Sequence, residues 1–116
     1  MDNPYLKTQV EVASPVERVV MLYDKAIILL KDASEAIDEG DVVRKANDIA
    51  KADKIIRVLN ASLDMEQGGE VAESLRRFYN HILDMLILAN GKNDKELLST
   101  AVEMLETVKS AWEEIK

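Results

Sequence analysis

Gly68-Gly69-Glu70-Val71-Ala72 stands inside a chain of 116 residues, with an amphipathic stretch at helical spacing on either side. The glycine pair breaks one helix. Glu70 then puts negative charge in the first turn of the next, where free backbone N–H groups favour it. Downstream, the helix it opens spans roughly residues 70 to 90, along a seam of Val71, Leu75, Phe78, Tyr79, Ile82, Leu86 and Ala89. Asn90-Gly91 reads as its stop. The fourth helix opens at Asn93, with Glu96 three residues on, and its seam is Leu97, Leu98, Ala101, Leu105, Val108, Trp112 and Ile115.

Upstream, the preceding helix carries Ala46, Ile49, Ala52, Ile56, Leu59 and Leu63, is capped by Asp41, and extends to about Asp64. Asp53 and Asn60 lie beside that line and need partners or the bundle edge. The first helix has the strongest start. Ser14 is a good N-cap, Pro15 fits the first helical position, and Glu17 completes Ser-x-x-Glu. Its seam reads Val16, Val19, Tyr23, Ala26, Leu30, Ala33 and Ile37, and Gly40 closes it. Long helices joined by short loops place neighbours antiparallel. The expected fold is therefore all-α: an antiparallel up-down four-helix bundle over residues 14–116, with a short N-terminal arm over residues 1–13. Tyr5, Leu6, Val10 and Val12 make that arm too apolar for a free tail.

Composition narrows the function. The net charge of −7 argues against nucleic acid, whose phosphates need a concentrated basic face. Without cysteine there is no disulfide and no thiolate chemistry. The apolar stretch from Val19 to Leu30 is too short to span a bilayer, and Asp24 and Lys25 interrupt it. No apolar run opens the chain, so no signal peptide and no membrane insertion are expected, and the protein reads as cytoplasmic.

Catalytic constellations are missing. His81 is the only histidine, and Phe78 rather than Glu stands three residues before it, so no Glu-x-x-His metal pair forms. His81-Ile82-Leu83-Asp84-Met85 lacks the lysine and glycine that commonly follow a phosphotransfer histidine. Gly68-Gly69 lacks the Gly-Lys-Ser/Thr end of a phosphate loop. No enzyme activity, cofactor or metal is expected. What the chain has in excess is apolar surface. Ile55, Val58, Ile87 and Leu88 fall at the border of the charged faces or within them, as do Met21 and Ile28. Joined into a groove, the first four would suit a helix-in-groove partner, with each buried side chain worth ~1.5–3 kcal/mol.

The order of motifs is more specific than any one of them. Gln9-Val10-Glu11-Val12-Ala13-Ser14-Pro15 is followed by Met21-Leu22-Tyr23-Asp24, Lys51-Ala52, Ile55-Ile56 and Leu63-Asp64. After the glycine pair come Leu75, Phe78-Tyr79, Ala89-Asn90, Asn93-Asp94 and Ala111-Trp112. The chain resembles the FliS family, the flagellin-specific export chaperones of bacteria, over almost its whole length. The resemblance implies a cytoplasmic helical bundle without enzymatic activity. Its implied cargo is the C-terminal segment of flagellin, disordered when free and helical when wrapped around the chaperone. It also implies delivery to the flagellar type III export apparatus, and an arm that shifts when cargo binds, with Tyr5 matching the family's arm tyrosine. Phe78-Tyr79-Asn80-His81 stands where many relatives carry Leu-Tyr-x-Tyr, and Arg18 where an apolar residue is frequent. The expectation is that the arm (Tyr5, Leu6, Val10) leaves a groove lined by Ile55, Val58, Ile87 and Leu88. The alternatives are a generic helical-bundle adaptor or regulator and, from another class, a histidine phosphotransfer domain using His81.

Overall fold

Four helices follow from these signals in the computed structural model, which describes residues 14–115: α1 Pro15–Glu39, α2 Val42–Ala61, α3 Gly69–Lys92 and α4 Lys95–Glu114. Ser14 caps α1, its hydroxyl accepting from the Glu17 amide at 3.1 Å, and Gly40 ends it in the left-handed region at φ 71°. Asp41 caps α2 by accepting from the Arg44 amide at 3.1 Å.

Two boundaries differ from the sequence expectation. α2 stops at Ala61, short of Asp64. There the Ser62 hydroxyl donates to the Leu59 carbonyl at 2.8 Å, and the Asp64 carboxylate accepts from the amides of Glu66 and Gln67 at 3.1 and 3.0 Å. These local bonds compete with continued helix. The other difference lies at the end of α3, which runs through Asn90-Gly91 and stops at Asn93, left-handed at φ 51°. Asn93 is thus a terminator, and Asp94 is the cap of α4, accepting from the amides of Glu96 and Leu97 at 3.0 and 3.1 Å. The deciding contact comes from another helix. Lys45 of α2 is buried, and its ammonium donates to the Asn90 carbonyl at 2.9 Å and to Asn93 Oδ1 at 2.6 Å. A cation at the C-terminus of α3 satisfies a carbonyl freed by the end of the helix and opposes the negative end of its dipole.

The helices form a square. Each packs on its sequence neighbours, and α1 also packs on α4. Cross-helix contacts give the direction. Asp24 pairs with Lys109, Lys31 with Glu106 and Asp38 with Lys95, so α1 and α4 run antiparallel. Asn60 donates to Asn80 at 3.1 Å while Lys45 reaches Asn90, so α2 and α3 do too. This is the expected up-down bundle. Its core holds Tyr23, Ala26, Leu30, Ile49, Ala52, Ile56, Leu59, Ile82, Leu86, Leu98, Ala101 and Leu105. α1 buries more than one stripe, adding Val20, Ile27, Leu29 and Ala36, because it touches both α2 and α4. Tyr23 and Tyr79 share a hydrogen bond of 2.8 Å between their hydroxyls, across the diagonal from α1 to α3. Asp53 finds Arg57 at 2.7 Å.

Candidate functional site

The four seams do not close equally at the two ends of the bundle. Near the Gly40 and Asn93 turns, Ala33, Ala36, Ala89 and Leu98 are buried. At the opposite end the same seams stay open. Val16 and Val19 at the start of α1, Leu63 after α2, Leu75 in α3 and Trp112 in α4 are only half-buried. Val71 at the start of α3 is 68% exposed.

Between these residues lies an apolar cavity of about 300 Å³. Pro15, Val16 and Val19 supply one wall, Leu59 and Leu63 another, Val71, Ala72 and Leu75 a third, and Trp112 closes the ring beside Tyr79. The size is at the lower end of ordinary ligand pockets, roughly 300–1,000 Å³. A space of about 390 Å³ between α1 and α4 is nominally larger. Lys31, Asp24, Glu106, Lys109 and Glu113 line it, and the Lys109–Asp24 and Lys31–Glu106 pairs belong to it. Chemistry therefore favours the smaller, apolar space.

The cavity wall is fixed by its loop. The Gly68 amide donates to the Asp64 carbonyl at 2.8 Å. A Cβ at Gly68 would stand 2.5 Å from that oxygen and 2.6 Å from the Ala72 Cβ, so only glycine lets the loop pack this closely. Gly69 is left-handed at φ 54°. The glycine pair thus does more than interrupt helicity: it presses residues 62–68 onto α3.

Tyr79 lines the cavity, and its hydroxyl is held from behind by that of Tyr23 in the core. Burial pushes the Tyr79 phenol well above its ordinary value, with the Tyr23 hydrogen bond adding to the shift. Burial also raises Tyr23, against hydrogen bonds to Tyr79 and Trp112 that lower it. Both phenols stay neutral at physiological pH and hold each other. Ser62 and Asp64 also stand at the cavity rim, but the Ser62 hydroxyl is engaged with the Leu59 carbonyl and the Asp64 carboxylate with the Glu66 and Gln67 amides, so the mainly apolar lining suits an apolar side chain. His81 is exposed on α3. Among the described residues there is no group of three or more metal-ligating side chains and no helix long and apolar enough to cross a membrane.

The residues expected to line a groove lie elsewhere. Val58, Ile87 and Leu88 are 50%, 61% and 48% exposed, whereas Ile55 is half-buried against the core. None of them lines the cavity. Along the bundle axis Val58 is nearer the open end, Ile87 and Leu88 nearer the closed one. The arm residues Tyr5, Leu6 and Val10 lie outside the described residues. Sequence reasoning missed the cavity itself, although Val16, Val19, Leu63, Val71, Leu75 and Trp112 all stood in the seams.

Among the described residues, fold and site together define an all-α bundle with an apolar cavity at one end. Comparison makes this specific. The sequence model of one family, flagellar protein FliS, matches residues 1–116. The chain is 35% identical over 108 residues to the flagellar secretion chaperone FliS of Vibrio cholerae, covering 93% of this chain and 79% of that one. It is 36% identical to the Salmonella typhimurium protein of the same name, covering 89% and 77%, and 31% identical to that of Bacillus subtilis, covering 98% and 86%. A solved structure described as a flagellar chaperone from bacteria superposes with a TM-score of 0.83 at 14% identity, over 96% of this chain and 90% of that one, which shows the shared fold. The chain belongs to the FliS family of flagellar secretion chaperones.

Proposed function

We propose that this protein is a cytoplasmic export chaperone. It binds the disordered C-terminal segment of flagellin, keeps flagellin from polymerising early, and delivers it to the flagellar type III export apparatus. Membership of the flagellar secretion chaperone family supports this reading. The structural observation that supports it is the end of the bundle where, among the described residues, the apolar seams of all four helices line a cavity. A segment without its own fold can insert one or two apolar side chains there and lay the rest along the bundle. Each buried side chain contributes ~1.5–3 kcal/mol. Ordering the segment opposes that gain, so one cavity is too little and a wrapped surface is needed. Ile55, Val58, Ile87 and Leu88 supply further apolar contact on α2 and α3. No reaction is involved in this reading: the cavity offers mainly hydrocarbon, with the Tyr79 ring at its base. Pro15 stands at the lip of the cavity, and in this reading the arm residues Tyr5, Leu6 and Val10 cover apolar surface until cargo takes it.

Titration calorimetry with a peptide of the C-terminal segment of flagellin tests the proposal. Saturable binding at micromolar concentrations is expected. Val58→Asp and Leu88→Asp should weaken it while leaving the melting transition nearly unchanged, since both side chains are about half exposed. No detectable binding to the wild type would contradict the cargo assignment. Equal affinity for all three proteins would remove Val58 and Leu88 from the surface.

A further inference from the structure

The interface between α1 and α2 holds more carboxylates than its cation can pair. Arg44 of α2 grips Asp32 of α1 with two parallel bonds, Nε to Oδ2 at 2.9 Å and Nη2 to Oδ1 at 2.6 Å. The same guanidinium also meets Glu39 and, at 3.5 Å, Glu35. One turn further along α2, Asp48 is 91% buried (9% exposed), and its Oδ2 has no hydrogen-bond partner. It stands one turn from Arg44 on the same face of α2, so Asp32, which Arg44 grips, lies beside it across the interface, and the two carboxyl groups act on each other. Two carboxylates can be hydrogen-bonded only through a proton held between them. The Arg44 fork occupies Asp32 and keeps it ionised, so a proton shared between the two would rest on Asp48 and give its orphaned oxygen a partner.

We propose that Asp48 and Asp32 share one proton across the α1–α2 interface and so form a pH-sensitive latch. Protonated, Asp48 ties α2 to α1. Deprotonated, it places a second negative charge against Asp32 inside the interface and loosens α2. Among the described residues, the charged groups acting on Asp48 are Asp32 from α1 and Arg44 and Lys51 from α2 itself, and none of them comes from α3 on the other flank. Arg44 and Lys51 favour the ionised form but are outweighed by burial and by Asp32. The latch lies well along the bundle from the apolar cavity, and none of the cavity's lining residues belongs to it.

The sign follows from the two ends of the equilibrium. Burial first, then the hydrogen bond and charge of Asp32, push the Asp48 carboxyl from 3.8 up to about 6 in the folded chain. Its stabilising effect is therefore full below about pH 4 and is lost as pH rises through about 6. Asp32 is shifted the opposite way, chiefly by its hydrogen bonds from Arg44, and its effect is lost only at strongly acid pH.

The test is urea unfolding of the full chain and of Asp48→Asn between pH 4.5 and 8. The asparagine keeps the shape and can donate to Asp32 at every pH. The ratio of the wild-type unfolding constant to that of the variant should rise about tenfold per pH unit up to about pH 6 and then level off. Parallel curves for the two proteins would overturn the proposal. Carbon-13 NMR of the wild-type side-chain carboxyls gives an answer that does not depend on the variant folding. A carboxyl assigned to Asp48 should titrate near pH 6, and titration of that group near pH 4 would refute the latch.

Discussion

The Tyr23–Tyr79 pair shows how a polar contact can specify a packed interior. Each phenol is buried and each finds a partner in the other, at 2.8 Å. The net gain from such a bond is small, but leaving one hydroxyl buried and unpaired costs about 1–3 kcal/mol. Tyr23→Phe or Tyr79→Phe should therefore each lower unfolding free energy by about 1–2 kcal/mol, while the double substitution should cost less than the two losses added together. Urea denaturation of the three variants checks this; additive losses would mean that the hydroxyls do not depend on each other. The sequence placed both tyrosines in their seams, but their spacing could not show that two hydroxyls would meet across the diagonal. Lys45 and Asp48 were less legible still. A lysine and an aspartate on an amphipathic helix read as solvated, and only the packing of α1 and α3 around α2 reveals that they are buried.

Helix boundaries turn on competition between local bonds. Ser14, Asp41 and Gly40 acted as their residue types suggest, because their neighbours offer nothing better. Asn90-Gly91 did not end α3. The helix continues until Asn93, where Lys45 from α2 takes the freed carbonyl and the side-chain amide together. That stop is set by tertiary contact, which periodicity within α3 cannot show. The cap passes to Asp94, which holds two amides. Asp94→Ala should cost about 1 kcal/mol of stability. Asn93→Ala should also destabilise, since it puts a Cβ-bearing residue without a local hydrogen-bonding side chain into the left-handed region and removes an acceptor of Lys45. Thermal melts of both variants measure this. An unchanged midpoint for Asp94→Ala would show that the α4 start is held by packing alone.

Across the whole molecule, the bundle is closed at one end and open at the other. The seams foretold the fold, and they also contained the cavity: Val16, Val19, Leu63, Val71, Leu75 and Trp112 are seam positions that the bundle leaves partly uncovered among the described residues. A helical wheel treats every turn alike and cannot tell a covered turn from an uncovered one. It pointed to Val58, Ile87 and Leu88, which are exposed and do not line the cavity, and gave no sign of the cavity at the end of the bundle. Val71→Asp belongs to this scale. With the side chain 68% exposed, the change should alter stability by no more than about 0.5 kcal/mol, yet it introduces a charge at the lip of the apolar cavity.

Trp112 is the chain's single tryptophan and lines that cavity, so its fluorescence reports on that end of the bundle. The decisive measurement is Trp112 emission during titration with a tryptophan-free peptide of the flagellin C-terminal segment, for the wild type and Val71→Asp. A saturable blue shift in the wild type, strongly weakened in Val71→Asp at an unchanged melting temperature, is the predicted result. Calorimetrically confirmed binding that leaves Trp112 emission unmoved would contradict the claim that cargo fills the open end of the bundle.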